Sequence, residues 1–141
     1  MTLHGFHLLT VLAAAVASML LGFLWYSPLL FARPWMLLMG YNPDDKAKTA
    51  EMQKGAGKLY GISFVASLVS AFVMAAGVVH LHLTSWSDGA HLGLAVWFGF
   101  VATVQLTGTL FSKQPVKLFL INTGYQLVCY LAMGVILVLW Q

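Results

Sequence analysis

Charge is what this chain has least of. Asp, Glu, Lys and Arg make up 8% of its 141 residues, against about 25% in an average soluble domain. A soluble domain of that length could not cover its surface with so few charges; a surface facing lipid needs none. Cysteine is nearly absent. The single Cys129 excludes an intrachain disulfide and, lying in an apolar run, says little about redox compartment. Acids are missing from the apolar stretches altogether: Asp44, Asp45, Glu51 and Asp88 all fall outside them. An ionisable group within a span is the usual mark of a proton relay; there is none unless His80 counts, so an ion-coupled pump is disfavoured. There is no carboxylate pair for acid-base work, no nucleophile with base and orienter, and no Gly-rich phosphate loop. The expectation is a protein that is not an enzyme and has no nucleic-acid partner.

What is there is long apolar sequence. Apolar and aromatic residues make up 60% of the chain, and they gather in four stretches, roughly residues 3–27, 58–82, 89–111 and 116–140. Each is about 23–25 residues, or roughly 35 Å as a helix, enough to cross a hydrocarbon core of about 30 Å. Lipid offers no partner to an open backbone amide, so the spans must be helices. No Lys or Arg precedes Ala13–Ser18, and the apolar run continues through Trp25. The first stretch is therefore read as a retained span, not a cleaved signal peptide. The expected fold is all-α: one integral membrane domain over residues 1–141, a four-helix bundle in the lipid bilayer.

Orientation follows from the cations. Arg33, Lys46, Lys48, Lys54 and Lys58 lie in or beside the first loop, and Lys113 and Lys117 in or beside the third. All seven therefore share one side, which the positive-inside rule makes cytoplasmic, with both termini outside. Trp86 and Trp140 suit the outer interface, Trp35 and Tyr60 the inner one. Ser27-Pro28 should end the first helix, since Pro lacks an amide donor and restricts the residue before it. Leu29–Met39 is too apolar for free solvent and too short to span, and is expected to lie in the inner interface with Arg33 reaching toward phosphate. Asn42-Pro43-Asp44-Asp45 predicts a helix start with Asn42 as N-cap, and Lys54-Gly55 its end: a short cytoplasmic helix between spans one and two. Leu30-Phe31-Ala32-Arg33-Pro34 is echoed by Leu110-Phe111-Ser112-Lys113-Gln114-Pro115. Either two hairpins are duplicated, or this is simply how a helix leaves a membrane.

Polar residues inside the spans are the first candidates for function. Gln105 and Thr109 lie one turn apart on span three, Asn122 and Gln126 one turn apart on span four. Gln105 and Asn122 fall at equal depth, about 9 Å from the hairpin end at helical rise. An interhelical hydrogen bond between them is expected, worth about 0.6–2 kcal/mol. It serves either as packing glue or as part of a polar path. Small residues repeat as Ala14, Ser18 and Gly22 on span one, and as Ser63, Ser67 and Ser70 beside Gly57 and Gly61 on span two. Both stripes would let helices approach closely, within the bundle or between protomers, and internal packing is the favoured reading. His4, His7, His80, His82 and His91 all fall near the outer span ends, with Asp88 close by. They would make an outward-facing zinc, copper or haem site. The competing reading is wet interfacial histidines and no cofactor.

Gly22-Phe23-Leu24-Trp25-Tyr26-Ser27-Pro28-Leu29-Leu30-Phe31 with Trp35 resembles the opening signature of a membrane family catalogued as domain of unknown function 1761. Trp97-Phe98-Gly99-Phe100 and Ile121-Asn122-Thr123-Gly124-Tyr125, ending at Trp140, fit the same family, so the resemblance covers nearly the whole chain. It implies a four-helix membrane protein of this length and no particular activity. The histidines lie outside the pattern. Compactness and this resemblance point to a bacterial inner membrane. Trp25, Tyr26, Phe31 and Trp35, with Tyr125 and the amides, would line an inner-leaflet pocket for a neutral or amphiphilic ligand; otherwise they are an aromatic belt. The leading functional expectation is a structural or accessory component of a membrane assembly, as a homo-oligomer or within a larger complex. A small oligomeric transporter or channel and a metal or haem binder are the alternatives.

Overall fold

The structure, a computed structural model, describes residues 2–3, 6–42 and 44–140. A short antiparallel pairing of β1 (Thr2–Leu3) with β2 (Phe6–His7) precedes α1 (Leu8–Trp25). Then come α2 (Ala32–Leu38), α3 (Lys46–Lys54) and α4 (Ala56–His80). The third long helix is composite: α5 (Trp86–Val96), a π-helical segment (Trp97–Ala102) and α6 (Thr103–Phe111). It is followed by α7 (Val116–Leu139). Apart from the β pairing the described chain is helical, and four helices are long and apolar enough to cross a membrane. The first is shorter at its start than the hydropathy suggests. Pairing of Thr2 with His7 and Leu3 with Phe6 satisfies backbone groups that a longer helix would have used.

Helix ends follow from local chemistry. Ser27 Oγ donates to Leu24 O at 2.6 Å, and Pro28, with no amide hydrogen, cannot extend α1. The start of α3 differs from expectation. Asn42 Oδ1 accepts from the Asp44 amide at 3.0 Å in a local turn, and Asp45 Oδ1 accepts from the Lys48 amide at 3.2 Å. The N-cap is therefore Asp45, three residues before the amide it satisfies; Pro43 lies outside the described residues. Arg33, expected to reach toward phosphate, pairs with Asp44 at 3.6 Å, both side chains well exposed. Gly40, His82 and Lys113 take left-handed φ of 86°, 54° and 56° just after α2, α4 and α6. Each donates back into the last turn, and the residue after it does the same, as with Leu83 to Val78 O at 3.0 Å and Gln114 to Thr109 O at 3.1 Å. The echoed Pro residues play different parts: Pro34 lies within the first turns of α2, and Pro115 is the N-cap of α7.

α7 is the hub, packing on α1, α4 and α5. The long helices run antiparallel, so one end of the molecule gathers Arg33, Lys58 and Lys113 and the other gathers His7, His80, His82 and His91. Toward the histidine end the core is dry: Val11, Ala14, Ala71, Met74, Ala75, Val78, Met133 and Leu137 form one cluster. There α5 lies backbone-to-backbone on α7. A Cβ at Gly89 would run into the Gly134 carbonyl, and one at Gly93 into the Tyr130 carbonyl. Toward the basic end the π segment and α6 stay on α7 but make no comparable contact with α4. Insertion of a wider turn is a recognised cause of helix bending. Much of the outer surface is apolar, with Leu9, Leu29, Phe98, Phe100 and Phe111 all exposed.

Candidate functional site

At the basic end, aromatic side chains of α1 and the π segment are bolted to one stretch of α7. Trp25 Nε1 donates to Ile121 O at 3.0 Å, Tyr26 OH to Asn122 Oδ1 at 2.7 Å, and Trp97 Nε1 to Thr123 O at 2.9 Å. Tyr125 returns the contact, its OH donating to Ser18 O at 2.9 Å. The two indoles use the second lone pair of helical carbonyls. Glycine makes the approach possible. A Cβ at Gly124 would stand 3.2 Å from the Trp25 ring, and one at Gly22 2.9 Å from the Tyr125 hydroxyl. Ring packing completes the cluster: Trp25 to Phe31 at 4.7 Å, Tyr26 to Tyr125 at 5.4 Å and Tyr26 to Trp35 at 6.1 Å between centroids. The candidate aromatic pocket residues thus come together, but packed ring on ring.

The expected Gln105–Asn122 bond is replaced by two others. Gln105 Oε1 accepts from Thr123 Oγ1 at 2.8 Å, and Asn122 accepts from Tyr26. Equal depth placed the amides correctly along the axis but not around it. Successive helix residues are about 100° apart, so Thr123 faces the third helix while Asn122 faces α1. Thr109 is buried a turn beyond Gln105 and Gln126 is half-buried; neither joins the amides.

The open space lies one turn deeper, on the far side of Tyr125. A cleft of about 420 Å³ opens where the third helix leaves α4, with walls from all four long helices. Its polar groups include Ser63, Ser67, Ser70, Gln105, Gln126 and Tyr130, and no charged residue lines it. Tyr130 OH donates to Ser70 Oγ at 3.3 Å across it. Ser63, Ser67 and Gln126 make no side-chain hydrogen bond to the described residues. The two small-residue stripes therefore part company. Ala14 and Ser18 are buried and Gly22 sits under Tyr125, as internal packing requires. Gly57 and Gly61 have open space where a Cβ would stand, and the serines of α4 face the cleft, so that stripe is not a packing seam within the chain.

The histidines do not converge. Among the described residues no group of three or more His, Cys, Asp or Glu side chains is placed to hold a metal ion. His80 Nδ1 meets Ala76 O at 2.8 Å and His91 Nδ1 meets Ser87 O at 2.6 Å, each on its own helix. His82 sits in the left-handed turn, His7 is exposed at the β pairing, and His4 lies outside the described residues. Among the described residues the histidines form no cluster of the kind expected for an outward-facing metal site.

Two features escaped the sequence reading. Gly89 and Gly93, four apart on α5, form the tightest helix contact and were legible as a small-residue repeat. The π segment carries no composition signal of its own, and Trp97 finds Thr123 only because of where that segment lies.

A family model described as protein of unknown function (DUF1761) matches residues 9–138. Neither the curated proteins nor the solved structures searched yield a match.

Proposed function

The chain belongs to the DUF1761 family, and from that premise we propose that it is a non-enzymatic, four-span protein of a bacterial inner membrane, with both termini outside, that receives a neutral or amphiphilic molecule from the bilayer through its side cleft. The observation that carries this reading is the cleft itself: hydroxyls and amides gathered among long helices whose exposed side chains are mostly apolar, with no charge among them. In hydrocarbon a hydroxyl or amide without a partner is costly, so leaving Ser63, Ser67 and Gln126 unpaired favours a partner that arrives from the bilayer. Exposed Phe98, Phe100 and Phe111 support the membrane setting, since lipid tolerates such a surface and water does not. Cations confined to one end support the orientation. The dry core toward the histidine end argues against a through-path in a single copy.

The reading is tested in reconstituted vesicles in two steps. Impermeant amine reagents should reach Lys48 and Lys113 from the same side, and a C-terminal tag should answer from the other. Then, on a Cys129→Ser background, Ser67→Cys should react with a lipid-partitioning maleimide and stay protected from an impermeant one. Reaction with the impermeant reagent from the cytoplasmic side would replace the bilayer-facing cleft with an aqueous vestibule and favour a transporter. A chain that stays dissolved without detergent, or Lys48 and Lys113 on opposite sides, would end the proposal.

A further inference from the structure

A second, apolar space adjoins the polar cleft. This pocket of about 350 Å³, lined by Val69, Val73, Met74, Gly77, Leu92 and Val96, lies between α4 and α5. Ser70 and Tyr130 line both spaces, so their hydrogen bond stands between the two. No ionisable Asp, Glu, Lys, Arg or His lines either space. The polar groups lie on the basic side of that bond and the hydrocarbon side chains on the histidine side. At about 1.5 Å per residue, Ser63 and Ser70 stand roughly 8 and 18 Å along α4 from Lys58, below the reach of a charged headgroup resting at an interface.

Size narrows the occupant. The polar space of about 420 Å³ is close to the volume of a single helical turn with its side chains, a size that suits a small polar group with the start of a tail better than a length of partner helix. Polarity narrows it further. A carboxylate or ammonium would be buried without a counter-charge, which costs more than the hydroxyls and amides can return. A hydroxyl or carbonyl can both be satisfied by Ser67, by the free amide hydrogens of Gln105 and by Gln126. The combination is that of a pocket mostly apolar with a few convergent polar groups.

Building on the cleft reading above, we infer that the two adjoining spaces together hold one uncharged lipid: its small hydroxyl or carbonyl group among Ser67, Gln105 and Gln126, its hydrocarbon tail passing Tyr130 into the space of Val73, Leu92 and Val96. Tyr130 and Ser70 act as the collar. The geometry selects for the absence of charge and for a narrow tail.

The test uses the full chain in phosphatidylcholine nanodiscs and three photoactivatable probes with a diazirine in the tail: a hexadecanol, the matching fatty acid held ionised at pH 9, and a phosphatidylcholine. Labelled positions are read by peptide mass spectrometry. The alcohol should label α4 and α5 around Val73 and Leu92 saturably, at least about tenfold over the carboxylate, because the latter buries an unpaired charge. Gln126→Leu should lower alcohol labelling at least about threefold, the loss of one hydrogen bond in lipid. Ser67→Ala is the companion variant; it removes a group with no protein partner, leaves the fold intact by elution volume and helicity, and should act in the same direction. Equal labelling by all three probes, or alcohol labelling indifferent to both variants, overturns the uncharged-lipid assignment while leaving a bilayer-accessible cleft in place. No labelling of either space by any probe overturns that assignment and the proposed function together.

Discussion

The two ends of this molecule are held by different means. Toward the histidine end, helices touch through what they lack: Gly89, Gly93 and Gly134 let backbones meet, and a continuous apolar core fills the rest. Toward the basic end, helices touch through what they carry: two indoles, two phenols and two amides bonded across to α7 or its neighbours. The first arrangement leaves no room and tolerates no added atom. The second spaces the helices by the length of an aromatic side chain, and a cleft follows from that spacing. Lipid tails compete as well as leucine for apolar surface, so in a membrane close packing and polar bonds replace the hydrophobic effect as glue. Only the polar kind of glue leaves groups over for a ligand.

Experiments that enlarge or erase this contrast can be ranked. The largest effect is expected at the glycine seam. Gly134→Leu must push α5 off α7, and because backbone lies on the other side the cost should reach or pass about 3 kcal/mol, the upper range of overpacking. It should appear as loss of the folded species in a detergent unfolding titration; a folded protein of unchanged midpoint would show that the seam is not tight. Next come the polar bolts. A double-mutant cycle of Tyr26→Phe with Asn122→Leu should give a coupling energy of about 0.6–2 kcal/mol, whereas Gln105→Leu with Asn122→Leu should be additive. The reverse result would restore the equal-depth pairing. At the cleft, Ser67→Leu should leave the unfolding midpoint within about 0.5 kcal/mol of the parent, as for a site without partners, while abolishing labelling by the alcohol probe. A large loss of stability would make that stripe a packing seam after all. Smallest, and one at each end, are the left-handed turns. His82→Gly and Lys113→Gly should each stabilise the protein by up to about 1 kcal/mol, since glycine adopts positive φ without a Cβ penalty; destabilisation would mean that those side chains make contacts of their own.

The site was legible in pieces. Trp25, Tyr26, Trp97, Asn122 and Tyr125 each stand in one of the segments that carry the family resemblance, and the equal depth of Gln105 and Asn122 follows from counting residues along each helix. Which of them meet did not follow. Depth is a one-dimensional quantity, read from rise per residue; azimuth needs the neighbours. Hence Asn122 was rightly given an interhelical partner and wrongly given Gln105. The serines of α4 show the same limit, because hydroxyls at helical spacing read alike whether they face a helix or a void.

Length, hydropathy and the placement of Lys and Arg are properties of the chain taken in order, and they alone determine that four helices form, where they end to within a turn or so, and which ends carry the charge. A helix in an apolar setting has little choice, because its backbone must bond to itself. The route of the third helix away from α4, the meeting of three aromatic segments on α7, and the cleft between them were decided only by tertiary structure. Each depends on rotation about a helix axis and on a single wider turn, and neither leaves a trace in the order of apolar and polar residues.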